Sequence, residues 1–234
     1  MFQNGGRKNR SIKDNWIATM AILDRNKELN QNTYILFADA EKCFDRLWLE
    51  DCVIDINRVG MREREAVMLY NMNEKARIMV ETPCGNTETF ETERTVKQGT
   101  IFGTQLCCSS TAQIDKIGQS KMETYLSELS VGTLIFVDDI EAVGSKSSIE
   151  EAGRNLRTME EKKGFRFNTD KTKYMIVRTG KKKVEEANIE VKMGKVERTN
   201  EYKYLGNWIG EKGTVEIQTE KKMKKSYRWV SEIN

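Results

Sequence analysis

The sequence contains no histidine. That removes imidazole general bases, serine–histidine triads and histidine metal ligands from the available chemistry. Proline is reduced to a single residue, Pro83, against roughly 5% in average proteins; the remaining residues offer no physical reason for that shortage. The five cysteines (Cys43, Cys52, Cys84, Cys107, Cys108) form no CxxC pair. An odd number without zinc spacing reads as reduced thiols in a cytosolic or nuclear setting, most of them small core hydrophobes. No signal peptide is evident, and no apolar run is long enough to cross a bilayer, so no membrane partner is expected.

A large excess of charge is also lacking: 39 Lys and Arg stand against 36 Asp and Glu, a net +3. The distribution is more informative. Lys171, Lys173, Arg178, Lys181, Lys182 and Lys183 follow one another with no acid between them, and Lys221-Lys222-Met223-Lys224-Lys225 forms a second cluster. Two readings stand for these, a solvated basic face and phosphate contact. With 234 residues, 38% hydrophobic and 32% charged, the chain can build one large domain or two lobes around a proper core.

What is present alternates irregularly between helical and strand periodicity, with hairpins, which predicts the α+β class. Ser11 with Asp14 marks a helix start, and Ile12, Trp16, Met20 and Leu23 continue at helical spacing. Tyr34 to Ala38 reads as a strand ending at Asp39. Helices are expected from Leu49 to Val59 and from Glu63 to Met72. Strands are expected at Ala76–Val80 and Thr87–Glu91 around a Pro83–Asn86 turn. A long helix is expected after the Gly99 and Gly103 loop. Ser147 to Glu150 reads as a capping box for a helix whose buried stripe is Ile149, Ala152, Leu156 and Met159, stopped by Gly164. Further strands are expected at Tyr174–Val177, Asn188–Met193 and Tyr202–Ile209, and a cationic helix from Thr214.

The chemically suggestive stretch is Phe136-Val137-Asp138-Asp139. Apolar, β-prone residues on both sides predict a tight hairpin with two carboxylates at its tip. Adjacent like charges repel, so a cation between them and a partner carboxylate would explain the pair. Asp39 is the proposed partner: if its strand neighbours the hairpin, both carboxylates meet at one sheet edge. That is an oxygen-ligand set for Mg²⁺. A pair of such ions about 3.5–4 Å apart can support in-line phosphoryl displacement.

Taken together, the segments resemble the fingers–palm part of a reverse transcriptase of the non-LTR (LINE-type) retrotransposon and group II intron kind. Phe37-x-Asp39-x-x-x-Cys43-Phe44-Asp45 resembles the first palm motif, and Lys97-Gln98-Gly99-Thr100-Ile101-x-Gly103-x-x-Leu106-Cys107 the second. Phe136-Val137-Asp138-Asp139 resembles the aromatic-x-Asp-Asp box, Asn168-Thr169-Asp170-Lys171-Thr172 the fourth motif, and Tyr204-Leu205-Gly206 the primer-gripping fifth. Gly6-Arg7-Lys8-x-Arg10-Ser11-x-x-Asp14 resembles the segment just upstream of the palm. The six segments stand in family order from residue 5 to about residue 210.

The resemblance implies a right-hand polymerase palm, an antiparallel sheet flanked by helices. Residues 1–33 would be a partial fingers segment, 34–210 the palm with inserted fingers elements at about 60–100, and 211–234 the start of the thumb. It implies two Mg²⁺ ions, with Mn²⁺ as a substitute, held by Asp39, Asp138, Asp139 and the Ala40 carbonyl. Lys171 would neutralise or protonate the departing pyrophosphate. Phe44, Gln98 and Gly99 would bind the nucleotide, with Phe44 excluding a 2′-hydroxyl. Arg7, Lys8, Arg10, Leu205 and Gly206 would contact primer or template. The partners would be an RNA template, a DNA primer and a dNTP. The first finger motifs, most of the thumb and any endonuclease segment would be expected in a longer protein.

Two positions depart from the family pattern: Thr104 stands where a proline is usual, and Lys97 where arginine is usual. Two other readings stay open, a decayed or domesticated palm that binds nucleic acid without turnover, and another palm-fold enzyme such as a nucleotidyl cyclase or an RNA-templated RNA polymerase.

Overall fold

In the computed structural model, residues 3–92, 96, 99–100, 102–114, 125–126, 129–130, 133–179 and 184–211 are described. Helix α1 (Ile12–Glu28) opens on a full capping box: the Ser11 hydroxyl accepts from the first-turn backbone, and Asp14 accepts from the Ser11 N–H. Strand β1 (Thr33–Asp39) follows, then a one-turn α2 (Cys43–Arg46), α3 (Leu49–Arg58) and α4 (Glu63–Asn73). Four short strands come next: β2 (Ala76–Ile78), β3 (Glu81–Thr82), β4 (Gly85–Asn86) and β5 (Phe90–Thr92). Pro83 and Cys84 make the β3–β4 turn, and β2 pairs with β5.

Of the long helix expected after Gly99, α5 (Gly103–Thr111) is described, followed by a turn at Ala112 and Gln113 and a helical Ile114; residues 115–124 lie outside the described residues. Beyond it lie β6 (Tyr125–Leu126), β7 (Leu129–Ser130), β8 (Thr133–Phe136) and β9 (Asp139–Gly144). Helix α6 (Lys146–Lys163) begins two residues before the sequence signal: Ser145, not Ser147, is the N-cap, and its hydroxyl accepts from the Ser148 N–H at 3.2 Å. Ser147 sits inside the first turn, where its own hydroxyl reaches only Ser145. The stripe Ile149, Ala152, Leu156 and Met159 is buried, and Gly164 ends the helix at φ 73°.

Strand β10 (Lys173–Val177) returns through the sheet, followed by β11 (Glu190–Val191), β12 (Gly194–Lys195), β13 (Glu197–Arg198), β14 (Glu201–Tyr204) and β15 (Asn207–Gly210). The single strand expected over Tyr202–Ile209 is a hairpin. Leu205 and Gly206 both take positive φ, 45° and 85°, which is the backbone of a two-residue type I′ turn. The expected tail helix from Thr214 lies outside the described residues.

A five-stranded sheet in the order β13-β10-β1-β9-β8 organises these elements; all neighbours are antiparallel except β10 and β13. The central strand β1 is buried along nearly its whole length. Alternation sorts its side chains onto two faces. Tyr34, Leu36 and Ala38 join the larger core, which includes residues of α3, α5 and α6. Ile35 and Phe37 join a smaller core beneath α1 and the β14–β15 hairpin, where the Phe37 ring stacks on Tyr202 at 4.2 Å.

That second face also buries a polar chain. Asn4 donates to Asn15, Asn15 donates to the Tyr204 hydroxyl at 3.1 Å, and Thr19 donates to Glu141 Oε2 at 2.8 Å. Glu141 is fully buried, and its Oε1 has no hydrogen-bond partner. Burial pushes its carboxyl up to about 8, although the Thr19 and Tyr204 hydroxyls pull the other way. The folded chain therefore keeps a proton that an unfolded chain releases near 4.5, so stability falls as pH rises through that window. Glu141→Gln should be close to neutral in acid and should stabilise the fold above pH 8 by on the order of 2–4 kcal/mol; urea midpoints at two pH values check this.

Candidate active site

The geometry of the candidate site follows from one register. Antiparallel pairing of β1 with β9 sets Asp39 opposite Asp139, Phe37 opposite Glu141 and Ile35 opposite Val143. Directly opposed residues of an antiparallel pair have Cβ atoms about 4.5–5.5 Å apart. The last pair of the β8–β9 hairpin is Phe136 with Asp139, so Val137 and Asp138 form its two-residue loop. Asp138 thus stands at the tip, beside the Asp39–Asp139 pair.

Val137 takes φ 60°. Positive φ at the first loop position alone marks a type II′ turn, where glycine is the usual residue. A β-branched residue in such backbone costs roughly 1–3 kcal/mol. The loop survives because its backbone is held from outside, by Gln3 and Thr111.

The fourth segment is stitched to the end of β1. The Asn168 N–H donates to the Asp39 carbonyl at 3.1 Å, the Asp39 N–H donates to Thr172 Oγ1 at 3.3 Å, and Ala40 bridges Phe167. This brings Lys171 Nζ to 3.5 Å from Asp39 Oδ2. The Lys171 side chain remains well exposed there.

Charge and burial act together on the carboxylates. Burial raises Asp138 above the ordinary carboxylate range, and the charge of Asp39 adds to it. Asp139 is pushed up to about 6, first by burial and then by Asp138 and Asp39, with Lys171 opposing. Tyr202, near the same charges, is pushed up to about 12 mainly by burial. These are carboxylates short of positive charge. Among the described residues no three acidic or thiol side chains close into a cage around one point. An open set of this kind suits Mg²⁺, which takes one or two carboxylates and keeps its other positions for water and phosphate oxygens. Asp39, Asp138, Asp139 and the Ala40 carbonyl are the groups available to hold it.

The remaining expected residues are placed as follows. Phe44 is half-buried against the larger core, and its carbonyl accepts from the Val96 N–H at 3.0 Å. Gly99 is exposed at φ 78°, with no protein atom within 4 Å of a Cβ position, so it meets a backbone requirement rather than a packing one. Gln98 and Lys97 lie outside the described residues, as do Lys181 to Lys183 and Lys221 to Lys225. Arg7, Lys8 and Arg10 are exposed; Arg7 donates to the Gln3 carbonyl at 3.5 Å and Arg10 pairs with Asp14 at 3.4 Å. Leu205 and Gly206 form the β14–β15 tip, and Leu205 packs on the smaller core. Gln3 and Thr111 carried no sequence signal: each is an ordinary polar residue whose partner is distant in the chain.

The raised Asp139 fixes the sign of a pH effect. Between 3.8 and about 6 the folded chain holds a proton that the unfolded chain has lost, so stability falls as pH rises through that window. Asp139→Asn should flatten this part of the profile and raise the thermal midpoint by a few degrees above pH 6. Thermal unfolding in EDTA across that range measures it.

Comparison with known proteins points the same way. The sequence profile of the reverse transcriptase (RNA-dependent DNA polymerase) family matches residues 1–209. No curated protein sequence matches the chain. Among solved structures, apo telomerase from Candida tropicalis truncated from its C-terminal domain superposes with a TM-score of 0.57 at 16% identity, over 88% of this chain and 39% of that one. The same organism's telomerase in complex with a TWJ fragment of telomeric RNA gives 0.57 at 17%, over 84% and 32%. Candida albicans telomerase in complex with a TWJ fragment of telomeric RNA gives 0.57 at 14%, over 85% and 34%. The chain therefore spans well under half the length of these telomerases, with which it shares the fold. A family profile that covers nearly the whole chain, over a mixed α+β fold built on an antiparallel-dominated sheet, makes this protein a member of the reverse transcriptase (RNA-dependent DNA polymerase) family.

Proposed function

We propose that the chain is the catalytic core of an RNA-directed DNA polymerase of the non-LTR retrotransposon and group II intron kind. It adds a deoxynucleotide to a primer 3′-hydroxyl along an RNA template and releases pyrophosphate. The observation that carries this reading is the register of β1 on β9, which pairs Asp39 with Asp139 below the Asp138 tip. In this reading residues 1–33 belong to the fingers, 34–210 form the palm with fingers elements inserted at about 60–100, and 211–234 open the thumb.

Asp39, Asp138 and Asp139, with the Ala40 carbonyl, hold two Mg²⁺ ions, or Mn²⁺ in their place. Bound there, such ions supply the positive charge that activates the attacking hydroxyl and offsets charge on the phosphate oxygens. The chain's own contribution is positioning and electrostatics. Lys171, exposed yet within reach of Asp39, meets the departing pyrophosphate. Phe44 lies under the sugar of the incoming nucleotide, and Gln98 and Gly99 line the nucleotide and template side. The Leu205–Gly206 tip supports the primer end. Its stacked Phe37–Tyr202 foundation ties that tip to the strand carrying Asp39. Arg7, Lys8 and Arg10 contact template phosphates, where they position rather than read sequence. An RNA partner accords with the telomerase neighbours solved with an RNA fragment.

Primer extension on poly(rA)/oligo(dT) with Mg²⁺ or Mn²⁺ tests the reading. Asp138→Asn should lower incorporation about a hundredfold or more, and equal incorporation by both proteins would exclude the site. Nucleic-acid binding without incorporation by either would leave a binding module instead. Phe44→Ala should admit ribonucleotides, and unchanged sugar selectivity would remove Phe44 from its role.

A further inference from the structure

The Asp138 hairpin is held by a residue that lies 134 positions away in sequence. The Gln3 side chain is buried and uses its whole hydrogen-bonding capacity. Its Oε1 accepts from the Val137 N–H at 3.0 Å and from the Gly5 N–H at 2.8 Å. Its Nε2 donates to the Val137 carbonyl at 3.0 Å and to Thr111 Oγ1 at 2.8 Å. Only this orientation of the amide works, because two of the facing groups are N–H donors and two are oxygens. Thr111 closes the arrangement by donating to the Val137 carbonyl at 2.9 Å.

The backbone around the amide is equally close. Gln3 bridges Ile135 in parallel fashion, and the Asn4 N–H donates to the Ile135 carbonyl at 2.9 Å. A Cβ added at Gly5 would stand 2.4 Å from the Val137 nitrogen and 2.7 Å from its Cγ2. Gly5 is thus required by space: it lets the N-terminal segment lie directly on the hairpin loop. The residue so gripped is Val137, the positive-φ residue of this hairpin loop, immediately before Asp138.

We infer that Gln3 is a positioning residue for the catalytic hairpin, holding Val137 in its unfavourable backbone conformation and thereby fixing where the Asp138 and Asp139 carboxylates point. This rests on the polymerase reading above for its consequence in activity, but not for the clamp itself. The two peptide units that flank the Val137 Cα are bound by one side-chain amide, so neither the N–H nor the carbonyl can rotate away without breaking a buried hydrogen bond. Without the amide, Val137 relaxes toward negative φ and the carboxylates turn with it.

The test uses the full chain and two readouts. The first is hydrogen exchange at the Val137 amide, read by NMR. The second is steady-state primer extension. Gln3→Ala should speed exchange at Val137 and lower kcat about tenfold to a hundredfold, with the dNTP KM little changed. Glycine adopts positive φ without strain, so the Gln3→Ala penalty should shrink several-fold in a Val137→Gly background. A merely structural role for the N-terminal segment predicts the same penalty in both backgrounds, and that result would overturn the proposal. So would unchanged exchange and unchanged kcat in Gln3→Ala. Should Gln3→Ala fail to fold, Gln3→Glu keeps the size and the acceptor oxygen but loses both donated bonds; it should give an intermediate exchange rate, and a wild-type rate would overturn the clamp. If the wild-type chain incorporates no nucleotide, the polymerase reading fails, while exchange at Val137 still decides the clamp on its own.

Discussion

Placing like charges on neighbouring strands is the constraint around which the rest of this structure is arranged. Asp39 and Asp139 face each other in one register, and Asp138 adds a third carboxylate beside them. Burial, with the neighbouring charge of Asp39, raises the proton affinity of Asp138 and Asp139. Unaided, β1 and β9 would slip or splay to separate the facing carboxylates. They do not, because β1 carries large apolar side chains to both faces: Leu36 and Ala38 to one core, Ile35 and Phe37 to the other. A one-residue slip would exchange those faces and drive each set into the core packed for the other. Hydrophobic burial thus keeps an electrostatically unfavourable register, the one on which the proposed cation-dependent site rests.

Local backbone strain appears at both hairpin tips near the site. Val137 and Leu205 take positive φ where glycine or asparagine would be easier. Each tip is compensated from elsewhere in the fold. Val137 is bound by Gln3 and Thr111, and Leu205 packs on the core formed by Phe37 and Tyr204. The two compensations meet through the N-terminal segment. Asn4, next to Gln3, leads by hydrogen bonds through Asn15 to Tyr204, one residue before Leu205. The segment before α1 therefore braces the acidic tip and the β14–β15 tip at once, which gives a physical reason for its low side-chain exposure at Gln3 and Asn4.

Much of this was legible in the residues. Apolar, β-prone runs announced β1 and β8–β9, the Ser11–Asp14 pair announced the start of α1, and Gly164 announced the end of α6. These signals are local, because caps, turns and amphipathic faces depend on residues within a few positions of each other. The misreadings came from a competing signal nearby in one case and from pairing and packing in the other. Ser145 outcompeted Ser147 as a cap. Tyr202–Ile209, apolar enough for one strand, folded back at Leu205 because its two halves pair with each other and cover Phe37.

What the sequence determined alone was the inventory: no histidine, three carboxylates at the ends of β-prone segments, and a lysine in a turn to accompany them. What only the tertiary structure decided was their mutual placement. The pairing of Asp39 with Asp139 spans a hundred residues of chain, and the Gln3 amide reaches Val137 across a still longer gap. Such contacts leave no periodicity behind, since a side chain that binds another segment's backbone answers to geometry and not to the identity of its neighbours.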